Sequence, residues 1–314
     1  MTRVGAIDCG TNSLRLLIAD IDPDSGMLTD VVRRMEIVRL GHSVDKTGVI
    51  APDAMARTLA QTREYATSCT DLGVEKVRFV ATSASRDARN AGEFVDGVRA
   101  AFAAFGVTPE VVTGHEEASL SFHGATGDLR ASGIPGPYLM VDLGGGSTEF
   151  VRGTGEVEQA MSVNVGCVRM TERHLRSDPP TPHQIAAAVV DIEAAIDRAA
   201  EVVGFRGVST LVGLAGSITT ITAQALQLPE YQPEKIHLSM LPAAQIIGAC
   251  TSLLAMTRAQ RADLPFMHPG RVDVIGAGAL VWSTIVQRLQ REAGIAEVVT
   301  SEHDILDGIA LSIG

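Results

Sequence analysis

The sequence predicts an α/β protein of two duplicated domains, each with a mixed sheet flanked by helices. Segments of strand character alternate with segments of helical periodicity along the chain. One short motif also occurs twice, far apart, inside apolar strand-like segments. Its two copies share a leading aspartate, a glycine and a serine at the same spacing: Asp8, Gly10 and Ser13, then Asp142, Gly144 and Ser147.

Each copy of the motif predicts a strand, a tight glycine turn and a returning strand. Such a turn can aim consecutive backbone N–H groups and a hydroxyl at one point, which suits the oxygens of a phosphate. One glycine-rich hairpin is more often only a hairpin, but two matched copies favour a phosphate site. The candidate phosphate-binding residues are Asn12 and Ser13 in the first copy and Gly145, Gly146 and Ser147 in the second.

The carboxylates of the repeat are candidate metal ligands. Mg²⁺ prefers carboxylates together with retained waters, so we expect Asp142 and Glu149 to hold Mg²⁺ directly or through water. Mn²⁺ is the alternative ion, and Asp8 is a third candidate ligand. For Asp8, an ordinary structural carboxylate stays an open interpretation.

The first predicted domain covers residues 1–130. After the first hairpin we expect a third strand, Val31 to Val38, and two amphipathic helices, Pro52 to Leu72 and Glu93 to Phe105. Two further strands are expected at Val77 to Thr82 and at Val111 with Val112. Asp8, the turn Thr82 to Arg86 and the turn Gly114 to Glu117 then lie at strand ends, where α/β sheets bind ligands. Arg86 offers a bidentate clamp for a phosphate, although a plain salt bridge is the other interpretation.

The second predicted domain covers residues 131–314 and begins after the linker Ala131 to Pro137. Its predicted strands are Tyr138 to Asp142, Leu211 to Gly213 and Val298 to Thr300. Its predicted helices are Thr181 to Val203, Ala215 to Leu226, Pro242 to Met256, Arg271 to Ala293 and Asp304 to Ile313. Where a strand meets a helix N-terminus, Gly216 and Ser217 form another candidate anion site, with an ordinary helix cap as the alternative. Arg271 is a weaker candidate for holding a polyanion.

Composition and charge exclude several classes of partner. The net charge of −11 argues against a broad nucleic-acid surface and against an anionic-membrane footprint. No apolar run reaches the length of a membrane span, and the first strand follows Met1 with no room for a signal peptide, so we expect a cytoplasmic protein. The four cysteines lack metal-ligand spacing and are expected to be reduced, mostly buried thiols.

Three other catalytic motifs are absent from the sequence. There is no G-x-x-x-x-G-K-[ST] loop and no G-x-S-x-G nucleophile elbow. The segment Gly276 to Ala279 lacks the third glycine of a dinucleotide site, and we expect it to permit close helix packing instead.

The motifs together resemble the exopolyphosphatase and guanosine pentaphosphate phosphohydrolase (Ppx/GppA) family, within the actin, sugar kinase and Hsp70 superfamily. They occur in the family's order across nearly the whole chain. The segments that carry the resemblance are Asp8 to Ser13, Ala81 to Ala88, Gly114 to Ala118, Asp142 to Glu149, Asn164 to Arg169, Gly213 to Ser217 and Arg271 to Ile275.

The resemblance implies two actin-like (ribonuclease H-like) domains with the active site in the cleft between them, and a final helix that packs back on the first domain. It implies metal-dependent hydrolysis of the terminal phosphoanhydride of inorganic polyphosphate, and it suggests a homodimer. It assigns the water-activating base to Glu117, which leaves Glu116 as a solvated or capping residue.

Three alternative functions remain open at this stage. A guanosine pentaphosphate phosphohydrolase would use the same chemistry, with guanosine pentaphosphate or tetraphosphate as the bound nucleotide. A small-molecule kinase of the same superfamily would transfer phosphate from ATP to an acceptor. A polyphosphate or alarmone sensor would bind through the same loops without turnover.

Overall fold

The structure is a computed structural model that describes residues 1–22 and 27–313. Gly314, the last residue of the predicted second domain, lies outside the described residues. The chain forms two compact units: Met1–Gly124 together with Ile305–Gly314, and Ala125–Asp304.

The first unit contains a five-stranded mixed sheet in the order β3-β2-β1-β4-β5. Its strands are β1 (Thr2–Cys9), β2 (Ser13–Ile21), β3 (Leu28–Ile37), β4 (Lys76–Ala81) and β5 (Glu110–Val111). The first three strands are antiparallel, whereas β4 is parallel to β1 and to β5. The helices here are α1 (Val44–Thr47), α2 (Pro52–Asp71), α3 (Ser83–Asp87), α4 (Ala91–Ala101) and α5 (Gly114–Ala131), which continues into the second unit.

The second unit repeats this topology with one additional antiparallel edge strand, in a six-stranded sheet of order β10-β11-β9-β6-β7-β8. Its strands are β6 (Tyr138–Leu143), β7 (Thr148–Gly153), β8 (Val157–Val163), β9 (Thr210–Leu214), β10 (Ser239–Pro242) and β11 (Glu297–Thr300). Its helices are α6 (Cys167–Arg173), α7 (Pro182–Val203), α8 (Ala215–Ala225), α9 (Pro233–Ile236), α10 (Ala243–Ala255), α11 (Arg258–Ala262) and α12 (Ile275–Ala293).

Both faces of strand β1 are buried, which explains its nearly continuous apolar sequence. Ile7 and Cys9 enter the cluster beneath α2 and α4, whereas Val4 and Ala6 point to the opposite face. The last helix, α13 (Ile305–Leu311), covers that opposite face. Gly308 of α13 lies so close to α5 that a Cβ atom there would be 1.9 Å from the Leu120 carbonyl oxygen.

The predicted fold class is confirmed, because each unit opens on an antiparallel three-strand meander and continues with parallel strands and helices. All four cysteines are free and buried, as expected. The predicted cleft between the domains stays a prediction. None of the helices in the described residues combines the length and the hydropathy that a bilayer span requires.

Two local expectations differ from the structure. Arg271 was predicted within a helix, but it ends a short 3₁₀ turn, Pro269–Arg271, and α12 begins only at Ile275. The His268 ring nitrogen Nδ1 accepts a hydrogen bond from the Gly270 amide, which stabilises this separate turn. The expected turn from Thr82 to Arg86 is largely the short helix α3.

Candidate active site

The first glycine hairpin joins β1 to β2. The Gly10 amide donates to the Ser13 carbonyl at 2.9 Å and closes the turn, while the Asn12 carbonyl accepts from the amides of Val38 and Arg39. These backbone bonds connect the turn to the segment after β3. Backbone hydrogen bonds therefore hold the hairpin both within the turn and against that segment.

The second glycine hairpin joins β6 to β7 and is closed in the same way. The Gly144 amide donates to the Ser147 carbonyl at 3.0 Å. Ser147 is buried, with 1 % of its surface exposed. The sequence repeat is thus a structural repeat at the level of single hydrogen bonds.

The two hairpins differ at one position that decides their electrostatics. In the first, Asp8 lies opposite Arg15, whose Nη2 approaches the Asp8 Oδ2 to 2.7 Å. In the second, Asp142 lies opposite Glu149 at the equivalent position. Directly opposed residues of an antiparallel pair point to the same face, so the second hairpin presents two carboxylates where the first presents an ion pair.

Asp142 and Glu149 are both buried, at 7 % and 1 % exposure. The Ser162 hydroxyl of β8 donates to Glu149 Oε1 at 2.7 Å and fixes one oxygen of that carboxylate. Two opposed carboxylates on neighbouring strands offer the hard oxygen donors that Mg²⁺ prefers. The donor set of the second hairpin fits such an ion, whereas Asp8 is engaged by a guanidinium.

Residues of helix α6 donate hydrogen bonds to the turn of the second hairpin. The amides of Cys167 and Val168 donate to the carbonyls of Gly144 and Gly145 at 3.0 and 2.9 Å, and Arg169 Nε donates to the Gly146 carbonyl at 2.6 Å. Because all three carbonyls are engaged from the side of α6, the loop conformation is set by this helix. Sequence analysis did not identify Arg169 as a residue that shapes the loop.

Gly166, which precedes α6, lets the helix approach the loop. A Cβ atom on Gly166 would lie 2.4 Å from the Gly145 carbonyl oxygen and 2.7 Å from the Gly146 nitrogen. Its φ of −156° is extended backbone that any residue can adopt, so the requirement for glycine comes from contact alone. The backbone nitrogens of Gly145 and Gly146 stay predicted phosphate donors.

In the first unit, Arg86 and Glu117 come together. Nη1 of Arg86 donates to Glu117 Oε2 at 3.2 Å and to the Val112 carbonyl at 2.9 Å. The side chain of Glu117 is 10 % exposed and that of Arg86 is 26 % exposed. Arg86 thus orients Glu117, and its predicted role as a phosphate clamp stays a prediction.

Glu116 has a different, structural partner. Its Oε2 accepts from the Thr113 amide at 3.0 Å, and its own amide donates to the Thr113 hydroxyl at 3.2 Å. This reciprocal pair is a capping box at the start of α5, so the capping role expected of Glu116 is confirmed. The hydrogen bonds from Thr113 hold the pKa of Glu116 below its usual value.

The N-terminus of α8 forms the third predicted anion site. The guanidinium of Arg271 lies directly on Gly216, where a Cβ atom would be 2.1 Å from Nη2, and Nη1 of Arg271 donates to the Thr220 hydroxyl at 3.1 Å. Gly278 of α12 packs against Ser217. A Cβ atom on Gly278 would lie 3.0 Å from the Ser217 side chain. The structure therefore brings together Gly216, Ser217 and Arg271, and it confirms close packing at Gly278.

The chain is similar to known proteins over nearly its whole length. The sequence model that describes the Ppx/GppA phosphatase family matches residues 17–313 of this chain. A protein named exopolyphosphatase 2 from Mycobacterium tuberculosis is 49% identical, with 100% of this chain and 99% of that protein covered.

Two solved structures are similar over their whole length. The crystal structure of an exopolyphosphatase-like protein has a TM-score of 0.95 at 43% identity, covering 100% of this chain and 98% of the other. The Ppx/GppA enzyme of Aquifex aeolicus has a TM-score of 0.80 at 30% identity, with 99% of each chain covered.

Proposed function

Because the chain belongs to the Ppx/GppA phosphatase family, we propose that it is an exopolyphosphatase, which hydrolyses the terminal phosphoanhydride of inorganic polyphosphate and releases orthophosphate. The name of the M. tuberculosis relative, exopolyphosphatase 2, supports this choice within the family. The observation that carries the proposal is the duplicated hairpin, closed by the same hydrogen bond in both units.

The hairpins and the α8 N-terminus are proposed to bind phosphate groups. Backbone N–H groups and hydroxyls in tight glycine turns suit phosphate oxygens because they concentrate partial positive charge without needing mobile side chains. Asn12 and Ser13 serve in the first unit, and Gly145, Gly146 and Ser147 serve in the second. Arg86 is proposed as a bidentate clamp for a phosphate. Gly216, Ser217 and, as a weaker candidate, Arg271 are proposed to hold further phosphates of the polyanion.

Glu117 is proposed to orient and deprotonate the attacking water. Hydrolysis of a phosphoanhydride needs an in-line water and neutralised phosphoryl oxygens, and no covalent intermediate is required. Arg86 donates to Glu117 Oε2 and holds the carboxylate that we assign as the acceptor of the water proton. Glu116 is tied into the capping box, so the assignment to the second glutamate is consistent with the contacts of both side chains.

Mg²⁺, with Mn²⁺ as the alternative, is the proposed cofactor, and Asp142 and Glu149 would hold it. When bound, the ion would neutralise charge on the phosphoryl oxygens. Its donor set is the pair of buried, opposed carboxylates of β6 and β7. Asp8 is a weaker ligand candidate than these two, because Arg15 already binds its Oδ2.

Further properties are proposed from the family and from the composition. Guanosine pentaphosphate is the second candidate substrate, because the sequence motifs resemble a family that also includes guanosine pentaphosphate phosphohydrolases. A homodimer and a cytoplasmic location also stay proposals, and the net charge of −11 supports the absence of nucleic-acid partners.

The function is tested by phosphate release in Mg²⁺ from short polyphosphate, long polyphosphate, guanosine pentaphosphate and ATP. We expect release from polyphosphate, abolished by chelation of the metal. Release from guanosine pentaphosphate alone would replace the proposal with its nucleotide alternative. Transfer from ATP to an acceptor would indicate a kinase, and tight polyphosphate binding without release would indicate a sensor.

A further inference from the structure

A cluster of two histidines and one aspartate lies in the second unit, apart from the residues assigned above. Asp128 comes from α5, His237 follows α9, and His303 follows β11. One ligand atom from each residue can be chosen so that all three atoms lie within 4.8 Å of one another. We call these three residues the His-Asp cluster.

The ligand atoms of the His-Asp cluster face one another. Oδ2 of Asp128 lies 2.5 Å from Nδ1 of His303 and 3.5 Å from Nε2 of His237. The two imidazole centroids are 4.6 Å apart, with the rings tilted by 43°. The carboxylate is thus bracketed by one nitrogen of each ring.

Backbone contacts hold both histidines in place. The Glu302 amide donates to Nδ1 of His237 at 3.2 Å, which turns Nε2 of that ring toward Asp128. The buried Ser301 hydroxyl bonds both the amide and the carbonyl of His303. The Leu238 amide donates to the Thr300 carbonyl at 2.7 Å and fixes the two histidine segments to each other. Strand β11 and its flanks thus hold the backbone of both histidine segments in place.

We propose that the His-Asp cluster is a binding site for a divalent transition-metal ion of the Zn²⁺ type. Two imidazoles and one carboxylate are ligands typical of Zn²⁺, with a fourth position left for water. Mg²⁺ prefers oxygen ligands, so the site is chemically distinct from the proposed site at Asp142 and Glu149.

The geometry permits an ion with small side-chain movements. Zinc–ligand bonds of about 2.0–2.1 Å in a tetrahedron place neighbouring ligand atoms about 3.3 Å apart. The 3.5 Å contact of His237 matches this spacing, whereas the 2.5 Å contact of His303 must widen by about 1 Å. The side chains of His237, His303 and Asp128 are 24%, 38% and 39% exposed, so an ion can enter and the rings can adjust.

Binding changes the protonation pattern of His237 in a way that can be observed. Coordination through Nε2 places the ring proton on Nδ1, so the hydrogen bond from the Glu302 amide is lost. The site also connects α5 with the segment after β11, and a bound ion would cross-link these two stretches of the second unit.

The test is isothermal titration of the full chain with Zn²⁺ in excess Mg²⁺, which saturates oxygen-rich sites. We expect one Zn²⁺ per chain, and a dissociation constant raised about 100-fold or more in His303→Gln and in His237→Gln, because each variant loses one of three ligands. His183→Gln is the matched control, since His183 is an exposed histidine of the same unit and lies outside the cluster.

Co²⁺ gives a second measurement that needs no variant to fold. Wild-type protein should develop the intense visible absorption of tetrahedral Co²⁺, and Zn²⁺ should abolish it. The Glu302 amide resonance should shift when Zn²⁺ binds. Absence of Zn²⁺ binding in excess Mg²⁺, or equal binding by His303→Gln and wild type, would overturn the proposal.

Discussion

Substitution of Gly166 by alanine tests whether the shape of the second hairpin matters for activity. The new Cβ atom would lie 2.4 Å from the Gly145 carbonyl oxygen, 2.5 Å from its carbonyl carbon and 2.7 Å from the Gly146 nitrogen. Since ordinary contacts begin at 3.4 Å, the loop and α6 must separate by about 1 Å. The backbone of Gly166 itself needs no change, because its φ is extended.

The displacement acts on the proposed phosphate donors. Moving a positioning group by about 1 Å can lower the rate about 100-fold, which is about 2.7 kcal/mol of transition-state stabilisation. Overpacking costs about 1–3 kcal/mol of folding stability, so the variant should remain folded. We therefore expect kcat/KM for phosphate release to fall about 100-fold while the circular dichroism spectrum is kept.

Gly248→Ala is the matched control for this variant. Gly248 lies in α10 of the same unit, and a Cβ atom there would meet no described atom within 4 Å beyond its chain neighbours and the backbone of its own helix. Its activity should be unchanged, and its stability should rise by up to about 1 kcal/mol because alanine favours helix. A Gly166→Ala protein with wild-type kcat/KM would refute the idea that the hairpin geometry fixed by α6 supports catalysis.

Three further predictions concern the proposed metal site, the capping residue Glu116 and the oligomeric state. Asp142→Asn should raise the Mg²⁺ concentration needed for half-maximal activity at least about tenfold without unfolding the hairpin; an unchanged Mg²⁺ titration would remove Asp142 from the metal site. The lowered pKa of Glu116 means that its charged form stabilises the fold above its ordinary pKa, and that this contribution is lost as the pH falls below about 4. The stability difference between wild type and Glu116→Gln, followed by thermal unfolding, should therefore shrink on acidification; a constant difference would contradict this. Light scattering at micromolar concentration should give twice the chain mass, and a monomer would exclude the proposed homodimer.

The fold could be predicted from sequence where the pattern of apolar residues matches the observed burial and where glycine turns follow the strands. The buried strands β1 and β6 have near-continuous apolar sequences, and the glycine turns that follow them fix the hairpins through one backbone bond each. The capping role of Glu116 also follows from spacing alone, because Thr113 stands three residues before it.

Other features depend on contacts between distant parts of the chain. The difference between Arg15 and Glu149 becomes meaningful only when strand register places each opposite an aspartate. The His-Asp cluster joins residues from three segments with no shared motif, so spacing could not reveal it. Arg271 was placed in the wrong element because helical periodicity continues through a segment that His268 caps as a separate turn.

The central claim is that Glu117 activates water for polyphosphate hydrolysis, and one measurement tests it directly. Polyphosphate binding and phosphate release should be measured together in Mg²⁺ for wild type, Glu117→Gln and Glu116→Gln. We predict that release falls about 10²- to 10⁴-fold only in Glu117→Gln, with binding retained, because glutamine keeps the size but is not a base. Glu116→Gln should remain active, since glutamine can still accept from Thr113. Wild-type release by Glu117→Gln would contradict the claim.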